Sequence, residues 1–568
     1  MDRVWLAQYP DGVAGDIDPD AFPSVAAVFD QSCERFGERA AFRNMGTALS
    51  FRDFEARARD FAAYLQNDLG LAKGERIALM MPNVLQYPVA LYGALRAGLV
   101  VVNINPLYTA REVADRLVDA RPRAIVIVEN FARALQDAQS RYTVEHVIVT
   151  GLGDMLGAWR GAAVNLAVRH LRRMVPAWAI AGTIRWNDAL ERGATRDFEP
   201  PALAGEDLAF LQYTGGTTGA PKGAMLTHRN MVANLEQISA WLGRAEASEV
   251  VITPLPLYHI FSLTANLLTF VKHGGTNVLV TNPRDIRGLV KTLREEPFTA
   301  LTAVNTLFNG LLRNADFRQL DFSHLNLAVG GGMAVQRSVA ERWQSVTGTV
   351  IIEGYGLTET SPVVCANPLY AQAFSGTVGF PVPSTDVSIR DAHGAPLAYG
   401  EAGELCIRGP QVMAGYWEKP EDTKEAFFDD GWFRSGDVAE MDEQGWVRIV
   451  DRMKDVIVVS GFNVYPNEIE DVAAGYEGVA EAACVGIAHV SSGEVPKLYV
   501  VPAADHELDV DALKAYLREQ LTSYKIPKRI EIRDELPKSN IGKILRRVLR
   551  DSDREVTGGA GHAEENHE

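Results

Sequence analysis

Residues 213 to 228 read YTGGTTGAPKGAMLTH. Glycines, threonine hydroxyls and the ammonium of Lys222 lie close together in this run, so backbone N–H groups and side chains can converge on phosphate oxygens. The common phosphate loop of GTPases and ATPases needs Gly directly before its Lys and Ser or Thr directly after. Here Pro221 precedes Lys222 and Gly223 follows it. The pattern therefore points to a nucleotide polyphosphate held by another scaffold. Four further motifs fit a nucleotide. VGGGM at 329–333 follows an apolar strand, and its glycines let a flat ligand approach the backbone. EGYGLTE at 353–359 offers the ring of Tyr355, the hydroxyl of Thr358 and the carboxylate of Glu359. Mg²⁺ on a nucleotide usually takes one or two carboxylates plus phosphate oxygens, which suits Glu359. In Ser435-Gly436-Asp437, a carboxylate behind a tight turn can accept both hydroxyls of a ribose, and PKSNIGKILRR carries Lys543 on a Gly-hinged segment.

The elements that must position these residues read as a mainly parallel α/β protein. Strand-like runs at 76–81, 98–103 and 123–128 alternate with helix-like runs at 85–97 and 111–120. The rhythm returns at 250–253, 277–281, 325–329 and 349–353, so two related α/β layers are expected within one large domain. From about 380 to 450 short strands and frequent Gly and Pro turns indicate a small β-barrel-like subdomain. After Asp451-Arg452-Met453-Lys454-Asp455 comes a compact α+β unit of about a hundred residues. The expected division is an N-terminal domain over 1–451, a hinge at 452–456, a small mobile C-terminal domain over 457–556 and a disordered Gly-, Glu- and His-rich tail over 557–568.

Bulk properties narrow the function classes. A chain of 568 residues exceeds one ordinary core, and 47% apolar with 23% charged residues is usual for a folded soluble protein. A formal charge of −17 argues against general nucleic-acid binding. The four cysteines, Cys33, Cys365, Cys406 and Cys484, fit neither a zinc pattern nor a disulfide framework, which points to a reducing cytoplasm. No signal peptide is expected at the N-terminus, and no run approaches the roughly 18 apolar residues that span a bilayer. From Gly151 to Trp178, GLGDMLGAWRGAAVNLAVRHLRRMVPAW places Val164, Val168, Leu171 and Val175 at helical spacing beside Arg160, Arg169, Arg172 and Arg173. Such a basic amphipathic helix can lie on an anionic membrane at the inner surface of the cell, or pack as an ordinary surface helix.

In their order and length, these motifs resemble the adenylate-forming superfamily of acyl-CoA synthetases, luciferases and peptide-synthetase adenylation domains. The likeness is greatest to bacterial long-chain fatty acyl-CoA ligases, through ALMMPNVLQYPVALYGALRAGLVVVNINPLYTARE, TPLPLYHIFSLT, EGYGLTET, DGWFRSGD, IVDRMKDVIVVSGFNVYPNEIED and ELPKSNIGKILRR. The resemblance implies a two-step reaction. A fatty acid carboxylate attacks the α-phosphate of Mg²⁺-bound ATP, giving acyl-AMP and pyrophosphate; the thiol of coenzyme A then takes the acyl group and releases AMP.

Carried over by motif, the resemblance places Thr214, Gly216, Thr217, Thr218, Gly219 and Lys222 on the β- and γ-phosphates. It places Gly331 and Gly332 along the acyl-adenylate path, Tyr355 on adenine, Thr358 at the α-phosphate and Glu359 on Mg²⁺. Asp437 and Arg452 take the ribose hydroxyls, and Lys543 reaches the carboxylate and the α-phosphate. His259, in PLYHIF, sits beside the carboxylate or serves as a hydrogen-bonded core residue. Lys454 matches the hinge about which the family's C-terminal domain swings, and Gly461 leaves room for the pantetheine arm in the second orientation. Apolar lining for the acyl chain is expected from residues 302–312, from 255–264 and beside Ala334. A carrier-protein thiol as acceptor, and a catalytically inactive acyl-binding protein, are the alternatives; a homodimer is also compatible. Retention of Lys222, Glu359, Asp437 and Lys543 weighs against inactivity.

Overall fold

A computed structural model describes residues 3–214, 221–243, 247–489, 492–503, 506–539 and 542–560. Two large sheets form the N-terminal part. One has seven strands in the order Ile184–Arg185, His146–Thr150, Ala124–Val128, Arg76–Met80, Val100–Asn103, Leu208–Thr214, Lys222–Thr227. All its neighbours are parallel except the last pair, a hairpin in which Thr214 faces Lys222. Its interior strand AIVIV, Ala124–Val128, is buried at every position, as a strand covered on both faces must be. The helix Ala110–Ala120 covers one face and starts at a reciprocal cap between Thr109 and Glu112.

The second sheet has nine strands, with Val250–Thr253, Ala300–Ala303, Leu327–Gly330 and Ile351–Gly356 parallel at its centre. The helix His228–Leu242 links the two halves. It follows the hairpin directly and is capped by Thr227 with Asn230. Buried His228 accepts a hydrogen bond at Nδ1 from the Val25 N–H, 3.2 Å away, which ties on the N-terminal helix Val25–Phe36.

The Gly- and Pro-rich stretch forms a four-stranded antiparallel sheet of Asp386–Arg390, Gly403–Arg408, Phe433–Met441 and Val447–Arg452. Phe380–Pro381, at the start of that stretch, instead closes the edge of the nine-stranded sheet. A C-terminal unit follows with its own core around Ile469, Leu498 and Leu513, and its long hairpin Val479–His489 with Gly493–Pro502 organises a five-stranded sheet. The final helix, Arg546–Ala560, takes in the first residues of the stretch expected to be a disordered tail; the rest of that stretch lies outside the described residues.

The basic segment differs from one continuous amphipathic helix. An α-helix over Ala158–Leu166 passes into a π-helical turn over Ala167–Leu171. Val168 is buried and Val164 packs against the core, whereas Trp159, Leu166, Leu171 and Met174 are exposed. The expected apolar stripe is thus split, because burial takes Val168 and Val164 while the other apolar side chains stay outside. Among the described residues no helix is long and apolar enough to cross a membrane.

Candidate active site

One cavity of about 2400 Å³, lined by residues of both the N-terminal part and the C-terminal unit, collects most of the candidate residues. Its best-defined corner is built on the strand Phe433–Met441. Gly436 adopts a φ of +69°, which glycine reaches without a Cβ clash, and its N–H donates to Glu404 at 3.1 Å. That turn presents Asp437, whose own N–H donates to Ser435 Oγ at 3.1 Å. One carboxylate oxygen accepts from the Tyr355 hydroxyl at 2.6 Å; the other lies 3.4 Å from Arg452 Nε, on the neighbouring strand. Three residues, two of them strand partners, thereby form one polar clamp with a ring fixed beside it.

Thr358 and Glu359 sit on a short 3-10 turn directly after the strand Ile351–Gly356. Glu359 Oε1 accepts from the Tyr416 hydroxyl at 2.8 Å, and burial pushes its carboxyl above the usual range. Lys222 Nζ lies 5.4 Å over the Tyr416 ring and 2.5 Å from Asp422, so Tyr416 bridges the lysine to Glu359. Among the described residues no cluster of three or more acids, histidines or cysteines could cage a metal. A Mg²⁺ ion carried by a nucleotide needs only one or two carboxylates from a protein, and Glu359 offers one.

Lys543 enters the cavity on the loop before the last helix. Its N–H donates to Ser539 Oγ at 3.1 Å, and Thr306 of the N-terminal part donates to the adjacent Gly542 carbonyl at 3.1 Å. Burial, reinforced by the charge of Arg452, pulls the Lys543 pKa down to about 8. Lys454 is brought to about 8 by the same two causes in the same order. His259 also lines the cavity and accepts from the Phe261 N–H at 3.3 Å; burial, with Lys543 nearby, lowers its pKa to about 4, leaving a neutral imidazole. His259 is thus hydrogen-bonded and faces the cavity.

Gly331 and Gly332 line the cavity across from Phe261; a Cβ at Gly331 would come within 3.1 Å of the Phe261 ring and the Gly354 carbonyl. Thr214 lines it too, while Gly216, Thr217, Thr218 and Gly219 lie outside the described residues. Gly461 stands apart. It occupies the tip of the hairpin Ile457–Val459 with Phe462–Val464, at a φ of +88°, and does not line the cavity.

Of the expected apolar lining, Ile260 and Phe261 from 255–264 and Ala334 do face the cavity, whereas the stretch 302–312 differs from expectation. Residues 302–312 contribute polar groups, Thr302, Asn305, Thr306 and Asn309, while Leu307, Leu311 and Leu312 turn into the core. The apolar wall comes from Trp241 and Leu242, at the end of a helix, and from Phe270, Leu327, Ile352 and Leu369. Trp241 is held by donating to the Asn367 carbonyl at 3.0 Å. No periodicity links these residues, which arrive from separate elements.

The profile of the AMP-binding enzyme family matches residues 29–417, and that of the AMP-binding enzyme C-terminal domain matches residues 468–543. The chain belongs to the AMP-binding enzyme family. The adenylate-forming resemblance read from its motifs is thereby borne out. This AMP-binding enzyme is 55% identical to a long-chain-fatty-acid–CoA ligase of Salmonella typhimurium, over 98% of this chain and 99% of that one. Among solved structures it is similar to a benzoate CoA ligase from Burkholderia xenovorans LB400, with a TM-score of 0.79, 26% identity, and 93% and 100% of the two chains covered. It also shares its fold with an anthranilate CoA ligase in complex with anthranoyl-AMP, with a TM-score of 0.84 at 23% identity over 95% and 100% of the chains. The AMP-binding enzyme thus carries, in one cavity, a polar clamp, a lysine from its C-terminal unit and an apolar arm.

Proposed function

We propose that this AMP-binding enzyme is an ATP-dependent long-chain fatty acid–CoA ligase. The observation that carries the proposal is the convergence of Lys543, the Tyr355–Asp437–Arg452 clamp and an apolar arm on one cavity. In the first step a carboxylate oxygen attacks the α-phosphorus, and the bond to the bridging β-phosphate oxygen breaks. Two anions must meet, so positive charge placed before reaction lowers the barrier. Lys543 supplies that charge at the carboxylate and α-phosphate, and Thr358 adds a hydroxyl donor. Asp437 and Arg452 hold the ribose, Tyr355 lies along the adenine, and Lys222 with Thr214 holds the departing phosphates. Mg²⁺, when bound by Glu359, neutralises phosphate charge. His259, neutral above about pH 4, acts as a polar neighbour of the carboxylate rather than as a cation.

In the second step the coenzyme A sulfur attacks the acyl carbon, its proton is lost, and AMP leaves. Gly461 sits at a hairpin tip away from the cavity, whereas Lys543 lies within it. We assign this arrangement to the first step, with rotation about Lys454 bringing the hairpin in for the second. Pyrophosphate release measured across fatty acids of increasing length, with and without coenzyme A, tests the whole proposal. Release that depends on a long-chain acid, with acyl-CoA appearing only when coenzyme A is added, supports it. Preference for an aromatic acid, or transfer only to a carrier protein, would overturn it.

We further propose a peripheral contact with anionic membranes through Trp159, Leu166, Leu171 and Met174. Trp159 is 92% and Leu171 79% exposed, and the exposed Arg172 and Arg173 lie beside them. Apolar side chains next to free guanidinium groups suit an anionic headgroup layer. Of the other arginines, Arg160 is occupied by the Met45 and Gly46 carbonyls and Arg169 by Glu129. Sedimentation with phosphatidylglycerol vesicles should weaken for Trp159→Ala with Leu171→Ala; unchanged binding by that pair would refute the contact.

A further inference from the structure

Arg116 is a cation buried without a counter-charge. It lies in the middle of the helix Ala110–Ala120, is 9% exposed, and lines the cavity near the base of the Thr214–Lys222 hairpin. Its guanidinium stacks over the Tyr108 ring, 4.5 Å from the centroid, and Nη1 donates to the Glu112 carbonyl at 3.2 Å. Nε is buried with no hydrogen-bond partner. Among the described residues no carboxylate pairs with it.

The nearby acids are all engaged elsewhere. The Glu112 carboxylate closes the helix cap with Thr109. Asp115 pairs with Arg141. Asp119 accepts from the Tyr213 hydroxyl at 2.6 Å and lies 3.1 Å from Lys419 Nζ. Glu418 is taken by Arg121. A buried charge left unpaired is costly, and one aromatic face offsets only part of that cost. Arg116 is therefore poised to gain a good deal from an anion that enters the cavity.

The surroundings indicate which anion. Arg116 acts electrostatically on Tyr213, the residue before Thr214, and Thr214 is the strand partner of Lys222. Asp119, on the same helix as Arg116, accepts from the Tyr213 hydroxyl, so this helix lies against the hairpin that carries Lys222. A guanidinium with donors left over can offer N–H groups to the oxygens of a phosphate.

We propose that Arg116 is a phosphate-binding residue that takes the terminal phosphates of ATP and the pyrophosphate derived from them. This rests on the ligase reading above for the identity of the nucleotide, and on Arg116 itself for the anion. Arg116 touches no reacting bond. It binds the leaving group, with Lys222, and so sets affinity for ATP and the rate at which pyrophosphate departs.

The test compares wild type with R116Q and R116K in the full-length protein. Inorganic pyrophosphate binding is measured by calorimetry, KM for ATP by pyrophosphate release, and KM for coenzyme A by thioester formation from supplied acyl-AMP. Loss of a charge-assisted hydrogen bond predicts pyrophosphate binding weakened about tenfold or more in R116Q, with a matching rise in KM for ATP. R116K should recover part of both, and KM for coenzyme A should stay put. A change confined to KM for coenzyme A would reassign the site to that molecule's 3′-phosphate and overturn the ATP assignment. Unchanged pyrophosphate binding in a folded variant, or losses that only track a fall in melting temperature shared by R116K, would make Arg116 a structural residue. A wild type that binds pyrophosphate through Arg116 yet activates no fatty acid would sink the ligase reading and leave the anion site standing.

Discussion

At the scale of single residues, Lys543 bears most of the proposed chemistry. Its ammonium is held in a buried setting beside Arg452, which lowers its pKa to about 8. The charged form is the useful one, so acyl-AMP formation should fall as pH rises through about 8. Thioester formation from supplied acyl-AMP should not follow that profile. Lys543→Ala should reduce acyl-AMP formation by about 10²–10³-fold, in the range of a lost electrostatic stabiliser, while sparing the second half-reaction. Equal loss in both halves would remove Lys543 from the role assigned to it. Lys222 plays a different part. In the proposed reading it holds phosphates, and its position over Tyr416 puts it in contact with Glu359 through a single tyrosine.

At the scale of elements, short connections aim the site. The turn after Ile351–Gly356 presents Thr358 and Glu359, and the turn opening Phe433–Met441 presents Asp437. The helix His228–Leu242 does two jobs. Its far end supplies Trp241 and Leu242 to the apolar arm, and its first residue anchors the N-terminal helix. That anchor has a pH dependence. Burial lowers the His228 pKa from 6.5 to about 4, so the folded state prefers the neutral ring. Its contribution to stability is present above pH 6.5 and is lost as pH falls towards 4. Between pH 7 and 5 the loss is about 2 kcal/mol. His228→Asn keeps an acceptor at the Nδ1 position without the titration. The difference in unfolding free energy between wild type and variant should therefore shift with pH by about that amount. A difference that stays constant from pH 7 to 5 would show that His228 does not titrate in this window.

At the scale of the whole molecule, hydrogen bonds tie the C-terminal unit to the N-terminal part. Thr306 donates to Gly542, Asn309 to the Ala480 carbonyl at 3.1 Å, and Ser338 Oγ to the Ala474 carbonyl at 3.4 Å. Near the hinge a denser network takes over. Arg546 pairs with Asp451 at 2.9 Å and Glu470 at 2.6 Å, and Arg550 pairs with Asp455 at 2.6 Å. Ion pairs gathered around the proposed hinge at Lys454 suit a unit that rotates and returns. A cysteine pair at Ser338 and Ala474, oxidised, should retain one round of acyl-AMP formation and block acyl-CoA turnover until a reductant is added. Normal acyl-CoA turnover in the cross-linked protein would exclude the proposed rotation.

The sequence by itself determined the chemistry on offer and the local elements that carry it. The parallel strands at 76–80 and 124–128 and the helix at 110–120 were legible because burial on one or two faces imposes a period on neighbouring residues. The motifs around Lys222, Glu359, Asp437 and Lys543 were legible because close spacing survives in the chain as written. Tertiary structure alone decided what lies far apart in sequence. It brought Lys543 to Asp437, took the leucines of 302–312 into the core, and built the apolar arm from a helix end and several unconnected positions. It also split the basic segment, burying Val168 while leaving Trp159 and Leu171 to solvent. Arg116 belongs to the same class. Nothing in AREVADRLVDA marks it, because a missing counter-charge is a property of the neighbours that folding assembles and never of the residues beside it in the chain.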